Sequence, residues 1–256
     1  MQGHVSILSV SPEAAAMIAS GGRISTMDGT ADEIYANSLS AGQEKNEKLI
    51  GKVLSSGHTS VLEHCYVNLS FENVSVLAEQ FLIEFRLASF TVKSRRYVNF
   101  SKAGYVSPVF TDNVQMAIFE RTVESLFGTY DVLEAAGVPK EDARFVLPYC
   151  FCSNFFCSMN ARELVHVMNE LAYGRGSRIP ELRALGESLF AQCEQQIPFL
   201  AVRKPEAYRQ SDAFCLRQVQ LLTSKAPVTV LAAPQDAEGL ICGAYQLAHG
   251  NLSLIH

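Results

Sequence analysis

The chain has 256 residues, 48% of them hydrophobic and 18% charged, with a net charge of −5 and a pI of about 5.7. That length supports a sizeable core in one large domain or two small ones, and the composition is that of an ordinary soluble globular protein. The acidic balance excludes a general nucleic-acid or acidic-membrane binder, so an anionic ligand needs a local cluster of arginines. No apolar run approaches the roughly 18 residues that span a bilayer, and MQGHVSILSVSPEAAAM lacks the basic start and long apolar run of a signal peptide. Seven cysteines make an odd count with no paired framework, which points to reduced thiols and a cytoplasmic setting.

Residues 5–9 read as a short strand, and 11–20 as a helix beginning after Ser11. A helix over 30–56 carries Asp32 and Glu33 in its first turn and meets Gly57 as a stop signal. Residues 64–73 alternate Cys65, Val67, Leu69 and Phe71 against His64, Tyr66, Asn68 and Ser70, the pattern of a half-buried strand. From 74 to 86 the period turns helical: Val74, Leu77, Phe81 and Phe85 form one apolar stripe, while Gln80 and Glu84 share another face. Helices follow at 112–136, at 139–148 (closed by Pro148), at 160–172 and at 181–195 after Pro180. Cys150, Cys152 and Cys157 alternate with aromatics at a spacing unlike a zinc site, so that segment reads as a strand with buried thiols. VTVLAAP, 227–233, is a further strand candidate. The class is α+β, dominated by helices.

Four segments carry chemistry. GHTSVLEH (57–64) places His58, Thr59, Glu63 and His64 between a helix end and a strand, where backbone N–H groups and hydroxyls can meet an anion. Its spacing matches no zinc pattern. SFTVKSRRY sets Ser94, Arg95 and Arg96 around a short turn, a combination able to grip a phosphate through a hydroxyl and guanidinium forks. Arg144, Asn160 and Arg162 stand in apolar contexts, with Asn160 placed to cap a helix. A buried arginine there needs a carboxylate or a ligand phosphate as partner.

In this order the segments resemble the flavin-dependent thymidylate synthases. GHTSVLEH is similar to that family's Gly-His-x-(Ser/Thr)-x-x-Glu-His segment. AEQFLIEFRLASFTVKSRRY resembles its signature, an Arg-His-Arg followed by a serine, an arginine and a tyrosine. AAGVPKEDARFVLP and NAREL resemble the segments that close its active site, and GRIS (22–25) a flavin-contacting segment. The resemblance implies a helix-rich domain over 1–210 built on a central antiparallel sheet, with 211–256 as a C-terminal extension. It also implies a homotetramer with FAD at subunit interfaces, making dTMP from dUMP with methylenetetrahydrofolate and NADPH. Gln80, Ser94, Arg95, Arg96 and Arg144 fall at nucleotide positions, and Ser25, His58, Thr59, Glu63, Asn160, Arg162 and His166 at flavin positions. Arg86 and Ser94 are the candidates for the chemistry itself.

The sequence departs from the family where the chemistry lies. With Ser94 aligned, Arg-His-Arg becomes Glu84-Phe85-Arg86; one extra helical residue would make it Ile83-Glu84-Phe85 instead. Glu84 in place of arginine reverses a charge. Either it points away from the ligand, or it pairs with Arg86 or Arg95, or the ligand is not dUMP. The reversal also motivates a second reading: a paralogue without the activity that keeps a flavin or nucleotide site, or a structural subunit of a mixed tetramer.

Overall fold

The computed structural model describes residues 3–209, and Met1–Arg203 form one compact unit. Four antiparallel strands, β1 (His4–Val10), β2 (Tyr66–Ser75), β3 (Ala88–Val92) and β4 (Cys152–Asn160), lie in the order β1-β2-β4-β3. Alternation works as the period-two rule requires. Val67, Leu69 and Phe71 of β2 and Phe155, Cys157 and Met159 of β4 point into one core, where Phe71 and Phe155 stack at 4.7 Å. Tyr66 and Phe156 project from the other face and stay exposed.

Helices α1 (Ala14–Ile24), α7 (Ala161–Ala172) and α8 (Pro180–Gln196) supply the apolar stripes of that core. Between them come α2 (Ala31–Ala41), α3 (Gln43–Ser55), α4 (Val76–Ile83), α5 (Asn113–Ala135) and the single turn α6 (Lys140–Ala143). A second apolar cluster joins Tyr130 of α5 to Val76, Phe100, Ala143, Leu147 and Phe151. No helix among the described residues is long and apolar enough to cross a membrane.

Several expectations are corrected. The helix over 30–56 is two, because Gly42 takes φ 81°, a left-handed conformation that interrupts the ladder. The first helix begins after Glu13 rather than Ser11, since the Ser11 hydroxyl is engaged with the backbone of Tyr66 instead. In the stripe over 74–86, Leu77 is exposed and Val74 belongs to β2; the buried side of α4 is Val76, Ala78, Glu79 and Leu82. Residues 88–92, part of the expected turn, form an edge strand with Ala88, Phe90 and Val92 packed on the core. Ser70 is buried although the alternation places it outward. The strand candidate at 227–233 lies outside the described residues.

Burial pushes the thiol of Cys152 up to about 11 and those of Cys157 and Cys193 up to about 12. A thiol that stays protonated is a poor nucleophile. At pH 8 an alkylating reagent should therefore spare these three cysteines until the protein unfolds. Peptide mass mapping checks this, and native labelling of Cys157 would contradict the packing. Because their folded values are raised, these thiols favour the fold at neutral pH. That advantage is lost as pH rises from about 9 through the folded values.

Candidate functional site

Helix α4 is the spine of the site. Its start is fixed by Ser75, whose hydroxyl accepts from Ala78 N at 3.0 Å while Glu181 accepts from the Ser75 N–H at 2.7 Å and from its hydroxyl at 2.5 Å. Its far end delivers Glu84, Phe85 and Arg86 to one place, and its middle delivers Gln80 to another.

Near Glu141, Arg96 and Arg144 come together, with Ser94 in the same turn as Arg96. The Ser94 hydroxyl oxygen accepts from Arg96 N at 3.3 Å, closing a local serine turn, and Val98 N bonds Ser94 O at 3.1 Å. Arg96 is exposed, with Nε 3.9 Å from the Glu141 carboxylate. Arg144 Nε donates to the backbone carbonyl of the same Glu141 at 2.8 Å. One residue of α6 thus brings together two arginines far apart in sequence. Arg95 turns the other way, into the protein: Nη2 lies 2.5 Å from the buried carboxylate of Glu79. The expectation that Arg95 faces a ligand phosphate beside Arg96 does not match this inward orientation.

At the far end, Arg162, His166 and Glu170 stand four residues apart and share one face of α7. Arg162 Nη1 meets Glu63 at 2.5 Å, His166 meets the edge of Phe85 at 5.5 Å, and Glu170 lies 3.9 Å from Arg175 Nε. Asn160 caps the helix, its side-chain carbonyl oxygen accepting from Glu163 N at 2.9 Å, so its NH2 end takes no part in the cap. Phe85 is buried, so at a position where the signature has a charged or polar residue this chain has a core side chain.

Glu84 pairs with Arg175 at 3.0 Å, and Arg175 also lies 5.1 Å over the ring of Phe81. The expected partners Arg86 and Arg95 are not the ones used. Arg175 sits 91 positions along the chain, beyond reach of any local pattern. Arg86 is exposed beside this pair.

Of the flavin candidates, Glu63, Asn160, Arg162 and His166 are brought onto one surface. Thr59 precedes the 3₁₀ turn Ser60–His64 that presents Glu63, with no side-chain cap of its own. Ser25 caps the end of α1, bonded to Gly22 O at 3.3 Å, and His58 is exposed before the turn. The sequence reading missed Glu79 and Glu141 and did not pair Arg175 with Glu84. Glu141 stands in a segment it quoted, and Glu79 directly precedes Gln80; no residue-type pattern marks either.

A cavity of about 720 Å³ is lined by Leu77, Val109, Tyr149, Ile179 and Pro180, among others, and by none of the candidate residues. Most candidates are exposed or half-exposed, and Arg95 is turned inward.

This architecture, a four-stranded antiparallel sheet backed by helices, is shared with a solved structure, the UMP/dUMP methylase PolB from Streptomyces cacaoi bound with 5-Br dUMP. The TM-score is 0.64 at 21% identity, covering 78% of this chain and 93% of that one. Residues 6–199 match the thymidylate synthase complementing protein family, and the chain belongs to that family. It is 34% identical over 166 residues to the flavin-dependent thymidylate synthase of Geobacter sulfurreducens, across 63% of this chain and 70% of that protein. With the same enzyme from Nitratidesulfovibrio vulgaris it shares 28% identity over 256 residues, 95% of this chain and 96% of the relative.

Proposed function

We propose that the protein methylates a uridine monophosphate-type nucleotide, dUMP to dTMP, using FAD, with methylenetetrahydrofolate as carbon donor and NADPH as reductant. The family and the names of its relatives support a flavin and such a nucleotide. The observation that carries the reading is that Arg96 and Arg144 both meet Glu141, with Ser94 in the same turn as Arg96.

Arg96 and Arg144 offer two guanidiniums to one phosphate. The Ser94 oxygen already accepts from Arg96 N, so its O–H is left to donate to a phosphate oxygen. Gln80 Nε2 donates to Glu79 at 3.3 Å, which leaves its carbonyl oxygen to accept from an N–H of a pyrimidine. The exposed Arg86 can stabilise negative charge developing on the base.

The donor set on the other surface suits a flavin dinucleotide. Arg162 is steadied by Glu63 yet half exposed, the Asn160 NH2 end takes no part in the cap, and His166 stands one turn along. The family resemblance adds Ser25, His58 and Thr59 to this set. When bound, a reduced flavin supplies hydride; these residues hold and orient it.

The open setting of the site fits completion by neighbouring subunits in a homotetramer. The 23-residue α5 supports this, since only Val123 and Tyr130 are buried while Val114, Met116, Ile118 and Val132 are exposed. The five described cysteines are free thiols, in keeping with a reducing cytoplasm.

A second reading is favoured by Glu84 and Phe85: a family member that keeps flavin or nucleotide binding without turnover. The test is the visible spectrum after loading FAD and removing the excess, then tritium release from tritiated dUMP with folate and NADPH. Retained flavin with dUMP-dependent release is the expected result. Retained flavin without release supports the second reading, and a colourless protein that rejects FAD overturns both.

A further inference from the structure

Arg95 and Arg96 are neighbours with opposite tasks. The Arg96 side chain is 62% exposed, whereas that of Arg95 is 19% exposed and that of its partner Glu79 only 2%. Glu79 gathers bonds from three elements. Its Oε2 accepts from Arg95 Nη2 at 2.5 Å and from the Ser153 hydroxyl of β4, and its Oε1 accepts from Gln80 Nε2 at 3.3 Å on α4. The Arg95 guanidinium also lies 5.3 Å over the ring of Phe151.

As a stabilising device this arrangement is poor. A buried ion pair gives up hydration that its mutual attraction barely repays, and apolar residues of similar volume often serve the fold better. Arg95 Nε adds to the cost, being buried without a hydrogen-bond partner among the described residues. Its geometric effect is specific, however. β3 ends with Lys93 N bonded to Asn154 O at 3.0 Å, and the chain then leaves the sheet. The bonds at Ser94 close the turn on itself but tie it to nothing else. Arg95 is the inward anchor that decides which side of the turn carries Ser94 and Arg96. The same carboxylate sets the direction of the Gln80 amide.

We propose that the buried Glu79–Arg95 pair is a positioning device: Glu79, through Arg95 and Gln80, aligns the phosphate-binding turn with the base-binding amide, and Arg95 does not itself touch the nucleotide. This rests on the reading of Ser94 and Arg96 as nucleotide residues.

The test is a mutant cycle on the full-length, FAD-loaded protein, with dUMP affinity measured by calorimetry and kcat and KM by tritium release. Glu79→Gln, Arg95→Met and the double variant are compared. On the proposal, Glu79→Gln raises dUMP Kd and KM about tenfold, with kcat within about threefold and flavin content unchanged. The double variant loses no more than either single one. Arg95→Met strands a buried carboxylate and is expected to express poorly; if it does, Glu79→Gln against the double variant decides. Should Arg95 contact the phosphate directly, Glu79→Gln would bind normally and the double variant weakly, which overturns the proposal. Unchanged affinity in every folded variant reduces the pair to a structural element and overturns it too. A wild type that takes no dUMP removes the functional reading as well, so the two failures are distinct.

Discussion

Gly186→Val is expected to destabilise the protein by about 3 kcal/mol or more, the upper range for forcing volume into a packed core. Gly186 lies inside α8, where glycine costs about 1 kcal/mol relative to alanine, so a compensating constraint must keep it. The constraint is the approach of α7: a Cβ there would lie 2.8 Å from Leu171 Cβ and 2.9 Å from the Ala172 backbone nitrogen. Backbone cannot swing aside as a side-chain tip can. Leu171, Leu182, Leu185 and Leu189 are all buried around the contact, leaving nowhere for the added methyls to go. For a chain of this size the loss corresponds to a fall in Tm of roughly 6–12 °C, read by thermal unfolding.

The position of α7 gives this packing contact a functional reach. That helix carries Arg162 and His166 and is capped by Asn160, so retained flavin absorbance should fall with stability. Gly51 is the control. It is a helical glycine of α3 with nothing within 4 Å of a built Cβ, and Gly51→Ala should add up to about 1 kcal/mol through helix propensity. A Gly186→Val protein as stable as the wild type would mean that α7 and α8 do not meet as described.

Sequence periodicity located most helices and three of the four strands because those elements bury one regular face. β2 and β4 alternate, and the Asn160 cap announces α7. Edge strand β3 was hidden differently. Ala88, Phe90 and Val92 do alternate with Ser89 and Thr91, but in a short stretch rich in serine, threonine and arginine the turn reading competes on equal terms. The break at Gly42 is equally quiet, since glycine is tolerated inside helices and only the backbone dihedral reveals its use here. In the site, residue types were legible and partners were not. SRR shows two arginines, but which turns inward depends on Glu79, 16 positions earlier. The answer to Glu84 lies 91 positions later in Arg175. Charge complementarity across such distances is a property of the fold.

Arg96→Ala should raise the Kd for dUMP by roughly 10- to 150-fold, because a hydrogen bond to a charged group is worth about 1.5–3 kcal/mol and each 1.4 kcal/mol is a factor of ten. Arg144→Ala should do the same, and the two losses should fall short of additive, since both guanidiniums would grip one phosphate and both lie beside Glu141. Glu141→Gln should move the other way. Its carboxylate is in weak 3.9 Å contact with a solvent-exposed Arg96, so removing the charge lessens repulsion of a phosphate bound by Arg96 without dismantling a strong pair. Glu84→Gln is the informative contrast. Arg175 neutralises Glu84 at 3.0 Å, at the end of α4 that faces His166 rather than the phosphate turn. Its effect on dUMP affinity should therefore be several-fold at most, far below that of Arg96→Ala. Calorimetric titration with dUMP ranks all four variants. If Arg96→Ala binds like the wild type while Glu84→Gln binds much more tightly, the phosphate lies at the far end of α4. The charge reversal would then be the feature that sets the ligand.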